Sequence, residues 1–408
     1  MSIESKSKKI LEAVTETLDS SSIHALPNIV KNHSYLIKTI WIICFLLANG
    51  VCFWFLVTSV VAYLQYDVVT NIQVNFVEKL AFPIVAICSL KPIRSSSFDI
   101  NEIIVECFFR LNPCNMTEDF EIFQDSGYGI CVRFNSGKNM FGNSTETKYV
   151  YKRGFSSGLI MSFFTGLAEE NDVSREHGMN LLISNEPTSP LSSEGIKISS
   201  GYNTFINLNK YTINLKPKPY SNCIDDLNSI DSYDSDFYRK TLESNPKYKT
   251  YHFKNCYYVC VQKFIIDNCN CQYSGFDFVY NKSVGSCSSL TCFTKYDQIF
   301  SSSSEYLKNC DCPLECQNIG YSFSMSNAEH PTNFTANMLF AKDIIKRKIP
   351  DKNFKTLSKS VSKVIIYFDE MKETIIQNDA KIQLADLISS IGGTLGLFLG
   401  KYKMSFST

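Results

Sequence analysis

Residues 39–66 form a run of 28 residues without a charged side chain. A helix that crosses the hydrocarbon core of a bilayer needs about 20 apolar residues, so this run is long enough to span a membrane. Trp41 lies near its start, and Tyr63 and Tyr66 lie near its end, where interfacial aromatic residues are typical. A buried core helix fits less well, and so does a cleaved signal peptide, because the run is too long and starts too late. We therefore predict a membrane helix here.

The charges that flank the run predict its orientation. Lys31 and Lys38 precede it, whereas Asp67 and Glu78 follow it. Because basic flanks favour the cytosolic side, we expect a cytosolic N-terminus and an extracellular region after the run. Of 16 cysteines, 14 lie after the run, which permits seven disulfides in an oxidising compartment. Four glycosylation sequons lie in the same region, at Asn115, Asn143, Asn281 and Asn333.

The residue patterns predict five segments and an α+β membrane protein. Alternating residues predict strands over 195–215 and 363–368, and a helical pattern covers 335–348. A second apolar stretch lies near the end of the sequence and is too short to complete a membrane helix. The predicted segments are a cytosolic tail (1–38), a first membrane helix (39–66), a cysteine-rich extracellular domain (67–381), the start of a second membrane helix (382–400) and a divergent tail (401–408).

Composition and motifs exclude two classes of protein. The 40 basic and 40 acidic side chains give no net charge, which argues against a nucleic-acid-binding protein. The sequence has only five histidines and no H-E-x-x-H motif. We therefore expect no enzymatic activity, no cofactor and no metal centre.

Nine cysteines lie between Cys256 and Cys316. Such a cluster can bind zinc or form disulfides. Zinc sites commonly use C-x2-C pairs, which this segment lacks, and thiolates that stay reduced, which an extracellular segment does not favour. Disulfides are therefore the favoured interpretation, and they would brace this segment into a stiff lever.

Five Asp residues lie between Cys223 and Asp236, in a stretch that is predicted to be a loop or the start of a helix. Clustered carboxylates raise each other's pKa, so they could form an acidic pocket that responds to protons. A solvated acidic loop and attraction of cations are the alternatives. The residues are Asp225, Asp226, Asp231, Asp234 and Asp236.

Taken in order, several motifs resemble the degenerin/epithelial sodium channel family, which includes acid-sensing and peptide-gated channels. The resemblance extends from His24 to Gly400. The nine-cysteine segment has the family's spacing. The other motifs are F-P-I-V-A-I-C at 82–88, G-I-C-V-R-F-N-S-G at 129–137, P-Y-S-N-C at 219–223 and I-G-G-T-L-G-L-F-L-G at 391–400.

The resemblance implies a fold and a disulfide pattern. Each subunit would have two membrane helices and a large β-sheet ectodomain likened to a clenched hand, with helical thumb and finger parts, and would assemble into homo- or heterotrimers with related subunits. The implied disulfides are Cys88–Cys131, Cys107–Cys114, Cys223–Cys316, Cys256–Cys312, Cys260–Cys310, Cys269–Cys292 and Cys271–Cys287.

The resemblance also implies a function. The protein would be a subunit of an amiloride-sensitive channel that carries Na⁺ across the lipid bilayer of the plasma membrane. Its gating would respond to a ligand, with a peptide or a proton as candidates, or to force. Pore and selectivity residues would be Gly392, Gly393, Gly396 and Gly400. Residues that couple the ectodomain to the gate would be His24, Tyr66, Tyr220 and Ser390.

The sequence departs from this family at the end of the second apolar stretch. The family's Gly-x-Ser falls on Gly400-Lys401-Tyr402, which lacks the serine, and no membrane helix follows. The alternative expectation is therefore a non-conducting, membrane-tethered modulatory subunit or binding ectodomain.

Overall fold

The computed structural model describes most of the chain and divides it into two compact units. One unit combines residues 1–70 with residues 378–408, and the other comprises residues 71–377. We call them the membrane unit and the ectodomain unit. The described residues are 16–17, 26–31, 34–91, 98–125, 128–167, 176–186, 195–244, 250–273, 280–281, 283–287, 290–302 and 308–399.

The elements confirm the α+β class that the sequence predicts. The helices are α1 (Leu26–Lys31), α2 (Tyr35–Leu64), α3 (Asp236–Ser244), α4 (Phe253–Cys269), α5 (Leu290–Ser302), α6 (Asn333–Leu339), α7 (Asp343–Lys348), α8 (Phe354–Ser360) and α9 (Leu384–Leu399). The strands are β1 (Val68–Phe76), β2 (Leu80–Ala81), β3 (Ile84–Ser89), β4 (Ile104–Phe109), β5 (Asn112–Pro113), β6 (Phe120–Asp125), β7 (Gly129–Phe134), β8 (Tyr149–Val150), β9 (Leu159–Phe164), β10 (Gly178–Ser184), β11 (Ile196–Ser199), β12 (Tyr202–Asn214), β13 (Gln317–Glu329) and β14 (Val361–Ala380).

Among the described residues, α2 alone is a helix long and apolar enough to cross a membrane. Most of its large apolar side chains are exposed, for example those of Leu47, Phe53 and Trp54. Such continuous exposure of apolar side chains suits a lipid environment. Helix α9 is apolar but shorter.

Three sheets form the framework of the ectodomain. The largest has the strand order β13-β12-β14-β9-β4-β5, and β1 pairs with β14. The second has the order β11-β10-β3-β7-β6, and the third pairs β2 with β8. Strand β12 runs antiparallel to β13 and parallel to β14. Its alternate residues Thr204, Ile206 and Leu208 are buried, as the period of a half-buried strand requires.

The main hydrophobic core lies between these sheets and consists largely of Phe, Ile, Leu and Val side chains. The Phe82 ring makes edge contacts with the rings of Phe109, Phe134 and Phe368, at centroid distances of 5.1, 6.1 and 6.2 Å. Edge-to-face packing is a favoured arrangement of aromatic rings. This core connects the motif that contains Phe82 to β4, β7 and β14.

Helices α3, α4 and α5 form the cysteine-rich part of the ectodomain. The rings of Phe264 and Phe300 lie 5.3 Å apart between α4 and α5, and those of Tyr273 and Phe293 stack at 3.7 Å. Helix α4 ends at Cys269 and is capped by Asn270, whose left-handed backbone (φ of 51°) suits a helix C-terminus.

Several boundaries differ from the sequence predictions. The first apolar helix covers 35–64 rather than 39–66, because Lys38 lies inside its first turn and its backbone N–H already bonds the carbonyl of Ser34. The single helix predicted over 335–348 is two helices, α6 and α7. The backbone becomes extended at Lys342, the N-cap residue just before α7.

Candidate functional site

The apolar helices α2 and α9 contact each other within the membrane unit. The side-chain oxygens of Ser59 and Ser390 lie 3.3 Å apart, and the rings of Phe55 and Phe398 stack at a centroid distance of 6.2 Å. Ser390, for which the resemblance implies a gating role, therefore lies at the contact between the two helices.

The chain joins these helices to the ectodomain through β1 and β14, whose ends are tied together. The Lys381 ammonium lies 3.0 Å from a carboxylate oxygen of Asp67, and its backbone N–H donates to the Asp67 carbonyl. The Thr70 hydroxyl donates to the Asn378 side chain at 3.0 Å. The start of β1 and the end of β14 are therefore held next to each other.

Three of the four predicted pore glycines lie on α9. At Gly392, Gly393 and Gly396, an added Cβ atom would meet no atom of the described chain outside the local helix backbone within 4 Å. These positions leave part of the α9 surface without side chains, where another helix can approach closely. Gly400 lies outside the described residues, as do Lys401 and Tyr402.

The predicted coupling residues Tyr66 and Tyr220 belong to different units of the chain. Tyr66 follows the end of α2 with a left-handed backbone (φ of 51°), and its ring lies 6.0 Å from that of Tyr63. Tyr220 belongs to the ectodomain unit, where the Lys216 ammonium lies 5.4 Å from its ring centroid. Their pairing stays a prediction, and His24 lies outside the described residues.

The cysteines of the ectodomain form seven disulfides, with the pairing that the resemblance implies. Cys44 and Cys52, both on α2, are free thiols. Among the described residues, no group of three or more His, Cys, Asp or Glu side chains is arranged to bind a metal ion. The four sequon asparagines are all exposed, and their glycosylation stays a prediction.

A partly buried histidine, His252, lies between two carboxylates, which the sequence did not indicate. The Nε2 atom of His252 pairs with the Glu186 carboxylate, and its Nδ1 atom lies 3.5 Å from Glu315. Glu315 also accepts a hydrogen bond of 2.8 Å from the backbone N–H of Phe253, at the start of α4. The carboxylates come from the end of β10 and the segment before β13, so they connect three parts of the ectodomain.

This arrangement changes the pKa values of His252 and Glu315. Burial disfavours the charged imidazolium, but hydrogen bonds and attraction from Glu186 and Glu315 outweigh it and raise the pKa of His252 to about 9. Burial likewise disfavours the Glu315 carboxylate, but the hydrogen bonds from His252 and Phe253 outweigh that effect and lower its pKa. His252 and Glu315 are therefore both charged at neutral pH.

Four of the five Asp residues between 223 and 236 have described contacts or surroundings, and these differ. Asp234 and Asp236 both lie near the Arg239 guanidinium, at 3.7 and 3.5 Å. Asp226 accepts the backbone N–H of Asn228 at 3.1 Å. Asp225 lines a cavity together with His252. The idea of a shared acidic pocket in this stretch therefore gains no geometric support.

The His252 triad predicts a pH-dependent stability. Because the pKa of His252 is raised from 6.5 to about 9 on folding, its contribution is complete below pH 6.5 and is lost as the pH rises through 9. We expect His252→Gln to lower the free energy of unfolding by about 1–2 kcal/mol at pH 6 and by much less at pH 10. Chemical unfolding of both proteins across this range would measure the difference.

His177→Gln is the matched control, because His177 contacts the Thr165 hydroxyl, at 3.2 Å, rather than a carboxylate in the described structure. An equal loss for His252→Gln at pH 6 and pH 10 would contradict the assigned ion pairs.

Comparison with known proteins agrees with this combination of apolar helices and a disulfide-rich β ectodomain. A family model described as amiloride-sensitive sodium channel matches residues 17–103 and 94–406. The chain therefore belongs to the amiloride-sensitive sodium channel family. Members of this family are ion channels and not enzymes, so the expectation of no enzymatic activity is confirmed by family membership.

Individual relatives are distant. Acid-sensing ion channel 1B of Danio rerio is 22% identical, over 88% of this chain and 69% of its own length. Acid-sensing ion channel 1 of Gallus gallus is 24% identical, over 74% and 53%, and degenerin del-1 of Caenorhabditis elegans is 24% identical, over 75% and 43%. The chain thus spans about half the length of the last two relatives.

A cryo-EM structure of a proton-activated chloride channel aligns with 88% of this chain and 93% of its own, at 7% identity and a TM-score of 0.38. A likeness of this degree carries no conclusion about fold or function.

Proposed function

We propose that this chain is a subunit of a trimeric, amiloride-sensitive sodium channel of the plasma membrane, gated by a ligand or by force. The observation that carries this proposal is the contact between α2 and α9 within one unit of a chain from this channel family. The two helices give each subunit a membrane unit, and a movement of the ectodomain could open or close a pore through it.

Physical chemistry supports a role for α9 in the pore. Gly392, Gly393 and Gly396 leave room for close helix approach, so three copies of α9 could pack around one axis. A narrow pathway of this kind selects an ion by replacing part of its hydration shell with protein oxygens. The Ser390 hydroxyl on α9 is one oxygen that could take this role. Its contact with Ser59 on α2 is an interaction that can break when the gate opens.

The proposed orientation places the ectodomain outside the cell and the N-terminus in the cytosol. Seven disulfides and four exposed sequon asparagines suit an oxidising, secretory environment. Lys31 and Lys38 on the N-terminal side agree with the positive-inside rule.

Electrophysiology tests the proposal. Expressed in oocytes, alone or with an acid-sensing relative, the chain should support a Na⁺ current that amiloride blocks. We expect Gly396→Val to reduce this current at least tenfold at equal surface labelling, because the added side chain occupies the α9 surface proposed for helix packing. Gly50→Val, at a similarly open glycine on α2, is the matched control and should retain more of the current.

Surface-labelled chain that carries no amiloride-sensitive current in either setting would contradict the proposal. If the chain instead alters the current of the co-expressed relative without adding its own, the alternative of a modulatory subunit would replace it.

A further inference from the structure

A polar cavity of about 590 Å³ lies in the ectodomain unit beside His252. Its walls come from the end of β10, the β12–β13 pair, the start of α4 and the segments joined by the Cys223–Cys316 disulfide. A cavity of this volume falls within the range of small-molecule sites. It can therefore accept an amino-acid side chain or a small organic molecule.

One wall carries an aromatic ring held over a glycine. Tyr211 on β12 and Gly320 on β13 are register partners, and both line the cavity. A Cβ atom at Gly320 would collide with the Tyr211 ring, so the glycine is what allows the ring to lie there. The face of a tyrosine ring attracts cations, and a planar guanidinium can also stack on it.

The charges on the walls also favour a cation. The protonated His252 already pairs with Glu186 and Glu315. Asp225 is the third carboxylate, and it has no ion-pair or hydrogen-bond partner within the part of the chain that the structure describes. Three carboxylates around one imidazolium leave two negative charges, and the described lining contains no Lys or Arg.

The backbone fixes the position of Asp225 relative to Glu315. Ile224 pairs with Glu315 in an isolated parallel bridge, and the backbone N–H of Cys316 donates to the Ile224 carbonyl at 2.9 Å. The Cys223–Cys316 disulfide joins the same two segments, one residue from the Ile224–Glu315 bridge. Because the backbone beside Asp225 is already ordered, a ligand binds its carboxylate without the entropic cost of ordering a loop.

We propose that this cavity binds an organic cation through its guanidinium group, with Asp225 accepting the guanidinium hydrogen bonds and Tyr211 stacking on its plane. A metal ion fits the site less well, because the described carboxylates and histidine do not converge on a common point. Either an Arg side chain of a peptide or a free guanidine compound could supply this group. The inference concerns binding alone, so it does not depend on ion conduction by the chain.

The test uses the purified full-length chain in lipid nanodiscs and N-acetyl-arginine amide as the probe, with binding measured by calorimetry. We expect one site per chain. Asp225→Asn should weaken binding at least tenfold, whereas Asp226→Asn, at the neighbouring acidic residue outside this cavity, should change it less than twofold. Gly320→Ala should weaken binding at least fivefold, because it displaces the Tyr211 ring.

Two further probes separate the possible ligands. N-acetyl-citrulline amide has nearly the same shape without the charge and should not bind. Methylguanidine should bind as tightly as the arginine probe if the guanidinium group alone is recognised, and more weakly if the flanking peptide contributes. Equal binding of the arginine probe by wild type and Asp225→Asn would overturn the proposal. Equal binding of the citrulline probe and the arginine probe by wild type would also overturn it. The proposal would likewise fail if millimolar Ca²⁺ displaced the arginine probe from wild type and from Asp226→Asn but not from Asp225→Asn, because Asp225 would then belong to a metal site. Unchanged thermal unfolding of the variants would show that they fold.

Discussion

Replacing Cys88 and Cys131 together by alanine should lower the free energy of unfolding of this chain by about 4 kcal/mol. This disulfide joins register partners on β3 and β7 and closes a loop with a sequence separation of 43. The only disulfide inside this loop is Cys107–Cys114, which has a separation of 7 and shortens the loop little. Without the cross-link, the unfolded chain gains nearly all of the loop's conformational freedom.

The Cys260–Cys310 disulfide provides an informative contrast. Its separation of 50 is larger, yet it lies directly inside Cys256–Cys312, which closes almost the same loop. Removing it frees only a short additional segment, so we expect a loss of about 2 kcal/mol from Cys260→Ala with Cys310→Ala. Cys44→Ala, at a free thiol, is the control.

Denaturant unfolding of the full chain in detergent, followed by circular dichroism, would compare the three variants. The explanation requires that a disulfide inside another disulfide's loop stabilises the chain less. A larger loss of unfolding free energy for the Cys260–Cys310 variant than for the Cys88–Cys131 variant would contradict it.

The sequence predicted those features that depend on local patterns. The uncharged run predicted a membrane helix because lipid requires a long apolar segment, and the observed helix differs by four residues at its start. The alternation over 195–215 predicted strands, which the structure divides at Gly201 into β11 and β12. Gly201 has a φ of 85°, a backbone conformation suited to the turn between them.

Features that depend on long-range packing were not predictable in the same way. The helical pattern over 335–348 contains neither Gly nor Pro, so nothing local marked the break at Lys342. Leu339 in α6 and Ile344 and Ile345 in α7 are buried in one hydrophobic cluster, and the bend lets both helices contribute to it. Packing therefore decided where the helix ends.

The His252 site was missed for a related reason. Glu186 and Glu315 lie far from His252 in the sequence, on either side of it. No spacing or motif links them, and only the contacts of α4 with the sheets bring them together. The single usable signal in the sequence is the scarcity of histidine, with five in the whole chain.

Arg133→Met should lower the free energy of unfolding by about 3–4 kcal/mol at neutral pH. The Arg133 side chain is fully buried on β7, and its Nη1 atom lies 3.4 Å from the carboxylate of Glu121, its register partner on β6. Its guanidinium carbon also lies 3.5 Å from the centroid of the Phe123 ring. Methionine fills much of the space but leaves the Glu121 carboxylate buried without its counter-charge.

The double variant Glu121→Gln with Arg133→Met separates this effect from lost packing. With no buried charge left, it should recover at least half of the loss, because an uncompensated charge costs more than a buried neutral amide. Lys197→Met is the control, since Lys197 pairs with Glu176 where both side chains are about half exposed, and such pairs contribute less than about 1 kcal/mol. If the double variant is as unstable as Arg133→Met, the loss comes from packing against Phe123, and the ion pair contributes little to the ectodomain's stability.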